Sequence, residues 1–287
     1  MNKGQNSGRL VLVKTGVKSE ADALADAPEG GLAKLEFTQI LAGGLPDDLY
    51  YCESCSSTFD LGWELVRNKL LGEWGAALAF TQSSGRGQLR REWASPRGNL
   101  YVSFRLPGAF LAWEGASVMA AQLLLLAFGR LGLPLKLKWP NDLVLESPGA
   151  APGKVGGVLL EERDGALLCG LGLNAAELPP AAALREGRAL DPALLPKSFY
   201  PRDPLGLWLM LVQRLKMVYQ EFSFAASPAD PLPAILIRGA EDNLLWKGLN
   251  VQIDDPGNSD TPMNGKLLGL SPAGGLLLAP SFAALAG

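Results

Sequence analysis

The sequence contains no histidine, and this absence excludes several kinds of chemistry. Without an imidazole, the chain cannot form a Ser-His-Asp or Cys-His catalytic arrangement. It also cannot use histidine as a metal ligand or as a proton shuttle near neutral pH. Any catalysis must therefore depend on lysine, arginine, aspartate, glutamate, backbone groups and a bound metal ion.

Cysteine is also scarce, with three residues among 287. An odd number in a chain of this length does not fit a secreted disulfide framework and indicates a reducing compartment. Cys52 and Cys55 form a C-x-x-C motif, which is open to a redox pair, half of a zinc site or two semi-buried thiols. Since a zinc site would need two more soft ligands and only Cys169 remains, we favour two incidental thiols.

The charge balance and the apolar segments exclude two further classes. The chain has 26 Lys and Arg against 29 Asp and Glu, which argues against a nucleic-acid partner because binding depends on neutralising phosphates. The apolar segment 115–129 is shorter than the ~20 residues of a membrane helix, and residues 267–287 are interrupted by turn residues. The polar N-terminus lacks a signal-peptide core, so we expect a cytoplasmic protein with no membrane partner.

The apolar patterns predict an α+β protein in three parts. Residues 1–50 would form an extension of unknown role with short strands, and residues 51–232 would form the main domain. Residues 233–287 contain short apolar runs separated by Gly, Asn, Asp and Pro, which is typical of a small β module, with a boundary near 231–239,. Predicted helices cover 59–71, 113–131 and 205–222; predicted strands cover 10–13, 35–41, 76–81, 100–106, 136–139, 143–146, 155–163, 166–173, 244–247, 250–253, 266–270 and 275–279,.

Four motifs bring polar groups and glycines together. In residues 85–93, GRGQLRREW, glycines allow an anion to approach the backbone, and the arginine guanidinium can form paired hydrogen bonds with a carboxylate or phosphate,. The same sequence is also compatible with an arginine-rich loop exposed to solvent. In residues 138–142, KWPND, polar groups gather at a strand end, where Asn-Asp after Pro also suits a turn,. In GKVGGVLLE, residues 153–161, Lys154 enters an apolar strand and needs an anionic partner,. The alternate glycines of residues 170–174, GLGLN, allow close approach of a ligand or another backbone,.

Taken in order, Ser57-Thr58, Gln82, GRGQLRREW, SPRGNLYVS, KWPNDL, GKVGGVLLE and GLGLN resemble the successive motifs of the biotin protein ligase family, over roughly residues 54–174. The module after Pro233 is similar to the family's C-terminal SH3-like domain. The first fifty residues do not resemble the DNA-binding domain of the repressor-type members. The resemblance implies a mixed β-sheet with helices packed on one side, followed by a small SH3-like β-barrel.

The resemblance also implies a two-step reaction. Biotin carboxylate would attack the α-phosphorus of Mg²⁺-ATP to give biotinyl-5'-AMP and pyrophosphate. A lysine of a biotin carboxyl carrier domain, from a biotin-dependent carboxylase, would then attack the mixed anhydride and release AMP. Neither step needs an enzyme nucleophile or an imidazole, which agrees with the missing histidine. The implied cofactors are ATP and Mg²⁺, biotin is the substrate, and a homodimer is left open.

The resemblance assigns roles to particular residues. The catalytic residues would be Lys154 and Arg86, which would stabilise the developing charge, with Asp142 orienting Lys154 or contacting Mg²⁺ through water,. The biotin-binding residues would be Ser57, Thr58, Gln82, Gly85, Arg86, Gly87, Lys154 and Gly157. The ATP-binding residues would be Gln88, Arg91, Trp93, Lys138, Asn141 and Asn174, with Trp93 covering the adenine.

Two departures and two alternatives accompany this reading. Gln88 stands where the family usually has Arg, so we expect weaker retention of biotinyl-5'-AMP. Residues 146–153 make the connection between Asp142 and Lys154 longer than in the family pattern.

One alternative is a lipoate or octanoate ligase or transferase of the same fold, although the motif of those enzymes normally includes a histidine. The other alternative is a biotin-sensing protein that binds its ligand without transferring it.

Overall fold

A computed structural model describes residues 48–111, 113–184, 189–200, 203–253 and 263–280, together with the backbone of 9–13 and 36–39. The strands are β1 (Arg9–Val13), β2 (Glu36–Gln39), β3 (Leu49–Cys55), β4 (Ala76–Gln82), β5 (Leu100–Leu106), β6 (Lys136–Lys138), β7 (Asp142–Leu145), β8 (Gly153–Arg163), β9 (Ala166–Leu173), β10 (Asp191–Pro192), β11 (Asn250–Ile253), β12 (Met263–Leu270) and β13 (Leu276–Pro280). The α-helices are α1 (Thr58–Arg67), α2 (Ala116–Arg130), α3 (Pro204–Ala225) and α4 (Leu232–Asp242).

Ten of the described strands form one mixed sheet. Its order is β2-β1-β3-β4-β5-β9-β8-β7-β6, with β10 paired to β8. The pairs β1–β2, β3–β4 and β8–β10 are parallel, while the others are antiparallel. The predicted hairpin is confirmed as β8 and β9, which turn at Asp164 and Gly165. The sheet thus confirms the predicted mixed α+β class.

Helices pack on both faces of this sheet. Along β4, Ala76 and Leu78 belong to the main core with α2, α3 and α4, whereas Ala77 and Ala79 pack in a second core with α1. This division follows from strand geometry, because successive side chains point to opposite faces. The expectation of helices on one side is therefore corrected: α1 covers the opposite face, beside the candidate site.

The start of α1 is fixed by its sequence. The Ser57 hydroxyl accepts a hydrogen bond from the Phe59 backbone N–H at 3.3 Å and caps the helix, which satisfies one of the free donors of the first turn. The helix ends at Arg67, four residues before the predicted end, because Lys69 adopts a positive φ of 58° that a helix cannot continue through,. Ser56 and Ser57 connect the end of β3 to the start of this helix.

The C-terminal part differs from the sequence prediction in two places. The interval 231–239, predicted as a boundary, is occupied by α4, whose Leu236 and Ile237 are buried in the main core. Residues 244–247, predicted as a strand, form a turn in which Trp246 has a positive φ of 65° and Leu244 makes one isolated bridge to Leu137. A three-stranded antiparallel sheet, β11-β12-β13, then follows among the described residues.

Cys52 and Cys55 lie on β3 as free, buried thiols. The hydrogen bond with Cys55 lowers the pKa of Cys52, whereas the same bond and burial raise the pKa of Cys55 far above its usual range.

Among the described residues, no helix combines the length and the apolar character needed to cross a membrane.

Candidate active site

Two adjoining cavities lie between the sheet and the loop after β4. The first cavity has a volume of about 230 Å³ and the second about 440 Å³. Both are lined by Arg91, Glu92, Trp93, Lys138, Asp142 and Lys154. The first cavity extends toward α1, and the second extends toward β11, β12 and β13. Cationic side chains and an indole thus stand where the two cavities meet.

The floor of the first cavity is a strip of glycines on β8 and β9. Gly157 pairs directly with Gly172 across the two strands, so neither strand places a side chain there. A Cβ atom at Gly172 would lie 2.7–2.9 Å from the indole of Trp93, and one at Gly157 would lie 3.4 Å from it. The glycines therefore let Trp93 lie directly against the sheet. The buried indole Nε1 of Trp93 has no hydrogen-bond partner among the described residues.

Hydroxyl and amide groups line the α1 side of the first cavity. The backbone N–H of Thr58 donates to Oε1 of Gln82 at 2.8 Å, and Nε2 of Gln82 donates to the Ser95 hydroxyl at 2.9 Å. Ser57 and Thr58 are buried. These contacts fix the orientation of Gln82, so the predicted residues Ser57, Thr58 and Gln82 come together at one wall.

Arg86 is held by two carboxylates at the edge of the first cavity. Its guanidinium makes an ion pair with Asp60 of α1 and donates to Glu161 of β8 at 2.9 Å. Burial lowers the pKa of Arg86, but the hydrogen bond to Glu161 and the charge of Asp60 raise it more, so the pKa lies above its usual value. Arg86 therefore keeps its positive charge.

Lys154 occupies the boundary between the two cavities. Its ammonium lies 2.5 Å from Asp142 and 5.3 Å from the centre of the Trp93 ring. Lys138 contacts the other oxygen of Asp142 at 3.2 Å. A carboxylate of which 13% is exposed thus orients two lysines, and an aromatic face adds a cation–π contact to one of them.

The two predicted asparagines hold the backbone beside these lysines. Asn141 donates to the Val158 carbonyl at 2.6 Å, and Asn174 donates to the Lys154 carbonyl at 3.2 Å. Asn141 lines the first cavity and Asn174 the second. Their side-chain amides therefore hold the backbone of β8 in place through hydrogen bonds, next to the cavities in which the nucleotide is expected.

The loop after β4 brings most of its predicted residues to the first cavity. Gly87, Gln88 and Arg91 line it, and the Gly87 N–H donates to the Arg91 carbonyl at 2.8 Å. Gly85 is placed differently, because it lines a third, open cavity of about 550 Å³ on the outer side of the loop. A Cβ atom at Gly85 would come within 2.4 Å of the Trp93 carbonyl, so this glycine allows the loop to close on itself.

Sequence reasoning missed the two carboxylates that hold Arg86. Glu161 lies four residues after Gly157 on the same strand, so alternation along β8 would have placed both on one face,. Asp60 lies in the first turn of α1, three residues after the cap. The apolar wall of the second cavity was also missed, since Leu244, Trp246, Val251 and Leu276 come from distant parts of the chain.

The described residues do not build a magnesium site of their own. No group of three or more His, Cys, Asp or Glu side chains is placed to hold a metal ion in the described part of the chain. Asp142, the acidic candidate, already contacts Lys138 and Lys154. Mg²⁺ commonly keeps several waters and binds through one or two carboxylates plus substrate phosphates, so this donor set fits an ion that arrives with a nucleotide.

The fold is similar to that of solved biotin protein ligases. The biotin protein ligase from Aquifex aeolicus, in complex with biotin and ATP, aligns with a TM-score of 0.59 at 24% identity, covering 80% of this chain and 90% of that one. At this identity the likeness establishes the fold. The chain therefore has the α+β architecture of the biotin protein ligases, with the candidate site on the α1 side of the sheet.

The central segment is similar in sequence to known ligases. Residues 51–174 match the model of the biotin/lipoate A/B protein ligase family. The biotin--[acetyl-CoA-carboxylase] ligase of Paracoccus denitrificans is 35% identical over 137 residues, which cover 44% of this chain and 55% of that protein. The bifunctional ligase/repressor BirA of Escherichia coli (strain K12) is 37% identical over 90 residues, which cover 30% of this chain and 26% of that protein. The match to the family model is confined to residues 51–174, and the chain spans about half the length of the first of these relatives.

Proposed function

We propose that this chain is a biotin protein ligase, which activates biotin with ATP and transfers it to a lysine of a carrier protein. The observation that carries the proposal is the meeting of two cavities at Lys154, Lys138 and Arg91. Joining two anionic substrates requires cations at the point where the substrates meet. The Aquifex aeolicus protein of the same fold was solved with biotin and ATP bound, which supports this pair of substrates.

The first step would place biotin in the first cavity and ATP in the second. A biotin carboxylate oxygen would attack the α-phosphorus, and the bond from that phosphorus to the bridging oxygen of pyrophosphate would break. Lys154 would stabilise the negative charge that develops on the phosphate oxygens, and Arg86 would bind the carboxylate. Holding both substrates side by side replaces an encounter in solution by a reaction within one complex.

The second step would transfer the biotinyl group. The uncharged ε-amine of a carrier lysine would attack the carbonyl carbon of biotinyl-5'-AMP and form an amide bond. The bond from that carbon to the phosphate oxygen of AMP would break, AMP would leave, and the amine nitrogen would release one proton. The Paracoccus denitrificans relative is named for acetyl-CoA carboxylase, and we extend that partner class to this chain as a biotin carboxyl carrier domain. Mg²⁺, when bound with ATP, would neutralise part of the phosphate charge.

We also propose that the strands after α4 form the SH3-like module that the resemblance implies for residues 233–287, with residues 51–232 as the main domain, to which α4 adds, and residues 1–50 as an extension. The antiparallel strands β11, β12 and β13 support a small β module,. The module contacts the main domain through Trp139, whose Nε1 donates to the Gly274 carbonyl at 2.7 Å. Val251 and Leu276 of the module line the second cavity, so its role would include closing the nucleotide side.

The experiment that tests the function supplies ATP, Mg²⁺, a carrier domain and either biotin or lipoate. We expect pyrophosphate release and carrier labelling with biotin. Release and labelling with lipoate instead would favour the lipoate alternative. Biotin binding without pyrophosphate release would favour a biotin sensor. Omission of the carrier separates the first step from the second. Without a carrier, we expect one pyrophosphate to be released for each biotinyl-5'-AMP that the protein forms and keeps bound.

A further inference from the structure

Arg86 is the cation proposed to bind the ligand carboxylate, yet the structure already surrounds it with two protein carboxylates. Asp60 and Glu161 both contact its guanidinium, of which 34% is exposed. Although Arg163 shares the charge of Glu161, both terminal nitrogens of Arg86 already donate to a protein carboxylate, so the guanidinium is a poor receptor for a third anion. A ligand carboxylate must therefore either bind Arg86 in addition to Asp60 and Glu161 or replace one of these two carboxylates.

Both carboxylates are positioned by groups other than Arg86. Oε2 of Glu161 accepts hydrogen bonds from the Trp63 indole at 2.8 Å and from Arg163 at 2.7 Å, which leaves Oε1 directed at Arg86. The second oxygen of Asp60 accepts from the Ser56 hydroxyl at 2.7 Å. Each carboxylate therefore keeps its place when Arg86 moves, as a fixed internal anion.

The position of Arg86 also allows an exchange. Arg86 lines both the first cavity and the third, outer cavity, whereas Glu161 lines the outer cavity. The guanidinium thus stands at the boundary, with the competing carboxylate on the outer side. A rotation of this one side chain on its loop would exchange Glu161 for an anion in the first cavity.

We infer that Glu161, assisted by Asp60, is a positioning residue that occupies Arg86 in the ligand-free protein and is displaced by the carboxylate of the incoming acid. The inference rests on the proposed function, because it takes biotin as that acid. The internal carboxylates lower the affinity for the free acid and keep the loop after β4 attached to α1 and β8 until a ligand carboxylate arrives. Ligands without a carboxylate would leave Arg86 in its ion pairs.

The test measures dissociation constants of biotin and of biotinamide, its neutral analogue, by titration calorimetry at constant ionic strength. For Glu161→Gln we expect biotin to bind about threefold more tightly, since an ion pair of this exposure is worth ~0.2–1 kcal/mol, with biotinamide unchanged. Asp60→Asn should act in the same direction. Glu162→Gln, at the exposed neighbouring position on β8, is the matched control and should change neither ligand.

Three results would overturn the inference. The first is weaker biotin binding in Glu161→Gln, which would make Glu161 a support for the binding loop. The second is an equal change, or no change, for biotin and biotinamide in both variants. The third is loss of folding in both variants, measured by circular dichroism, because the carboxylates would then be structural. If the wild type binds neither ligand, the proposed function itself fails, which this set of measurements distinguishes from the other results.

Discussion

Lys154 and Arg86 carry the same charge at the same site, but the chain holds them in different ways. Lys154 lies on β8, which pairs with β7, β9 and β10, and one carboxylate, Asp142, orients its ammonium. Arg86 lies on a loop, and its contacts to Asp60 and Glu161 attach that loop to α1 and β8. The strand fixes one cation through its backbone, whereas side-chain charges fix the other.

This difference indicates a division of labour between the two cations. A charged group that stabilises a transition state benefits from a rigid position, because a preorganised charge needs no rearrangement during the reaction. A group that admits a ligand benefits from a position that can change. We therefore expect substitutions at Lys154 to act mainly on kcat and substitutions at Arg86 to act mainly on biotin binding.

The largest effect is expected for Lys154→Ala. Removal of the ammonium at the junction of the cavities should reduce kcat for biotin-dependent pyrophosphate release by about a hundredfold or more, while biotin still binds. Lys197→Ala, at an exposed position outside both cavities, is the matched control and should retain full activity. Full activity in Lys154→Ala would remove this lysine from the mechanism.

The next largest effect is expected for Arg86→Ala. Loss of a charge-assisted hydrogen bond of ~1.5–3 kcal/mol should raise KM for biotin about tenfold or more, with a smaller change in kcat. Asp60 and Glu161 would remain as negative charges beside the ligand, which adds to the loss. Steady-state kinetics at varied biotin concentration separates the two constants. If kcat fell and KM did not change, the distinction from Lys154 would be lost.

A smaller effect is expected for Asp142→Asn. The substitution removes the charge that orients Lys154 and Lys138, so kcat should fall about fivefold, which corresponds to the upper end of the range for exposed ion pairs, ~1 kcal/mol, with little change in KM for biotin. Asp164→Asn, in the exposed turn between β8 and β9, serves as the control. A rate equal to that of wild type would show that the strand alone positions Lys154.

The smallest effect is expected for Gln88→Arg. Gln88 lines the first cavity together with Arg91, which lines both cavities, and an added cation there should hold biotinyl-5'-AMP more tightly. We expect the loss of adenylate into solution, followed with radiolabelled ATP in the absence of a carrier, to slow about threefold, as for one exposed charge pair. Equal leakage from both forms would contradict this role for position 88.

Much of the fold could be predicted because its strands and helices carry local patterns. The β8–β9 hairpin follows from two apolar runs around Asp164-Gly165, and α3 follows from Asp203-Pro204 before an amphipathic run,. The helix α4 was missed because Pro231 precedes it, Pro233 is its second residue and Gly239 lies within it, and these residues are turn signals in isolation,. Its apolar residues Leu236 and Ile237 pack in the main core, a contact that the local sequence does not reveal.

The site could be predicted less completely, and the reason is again physical. Motifs reveal residues that lie close together in the chain, such as Lys138 and Asp142. They do not reveal contacts made by packing, such as Asp60 with Arg86, 26 positions apart, or Glu161 with Arg86, 75 positions apart. The apolar wall of the second cavity depends on how β11 and β12 dock, which no local pattern encodes.

The most direct test of the central claim is to look for biotinyl-5'-AMP itself. Wild-type protein is incubated with biotin and Mg²⁺-ATP in the absence of a carrier, and the bound fraction is analysed by mass spectrometry. At the shortest incubation that saturates the wild type, we expect biotinyl-5'-AMP in the wild type and in Lys197→Ala, and none detectable in Lys154→Ala. Bound biotin and ATP with no adenylate in the wild type would contradict the claim that the two cavities meet to join their ligands.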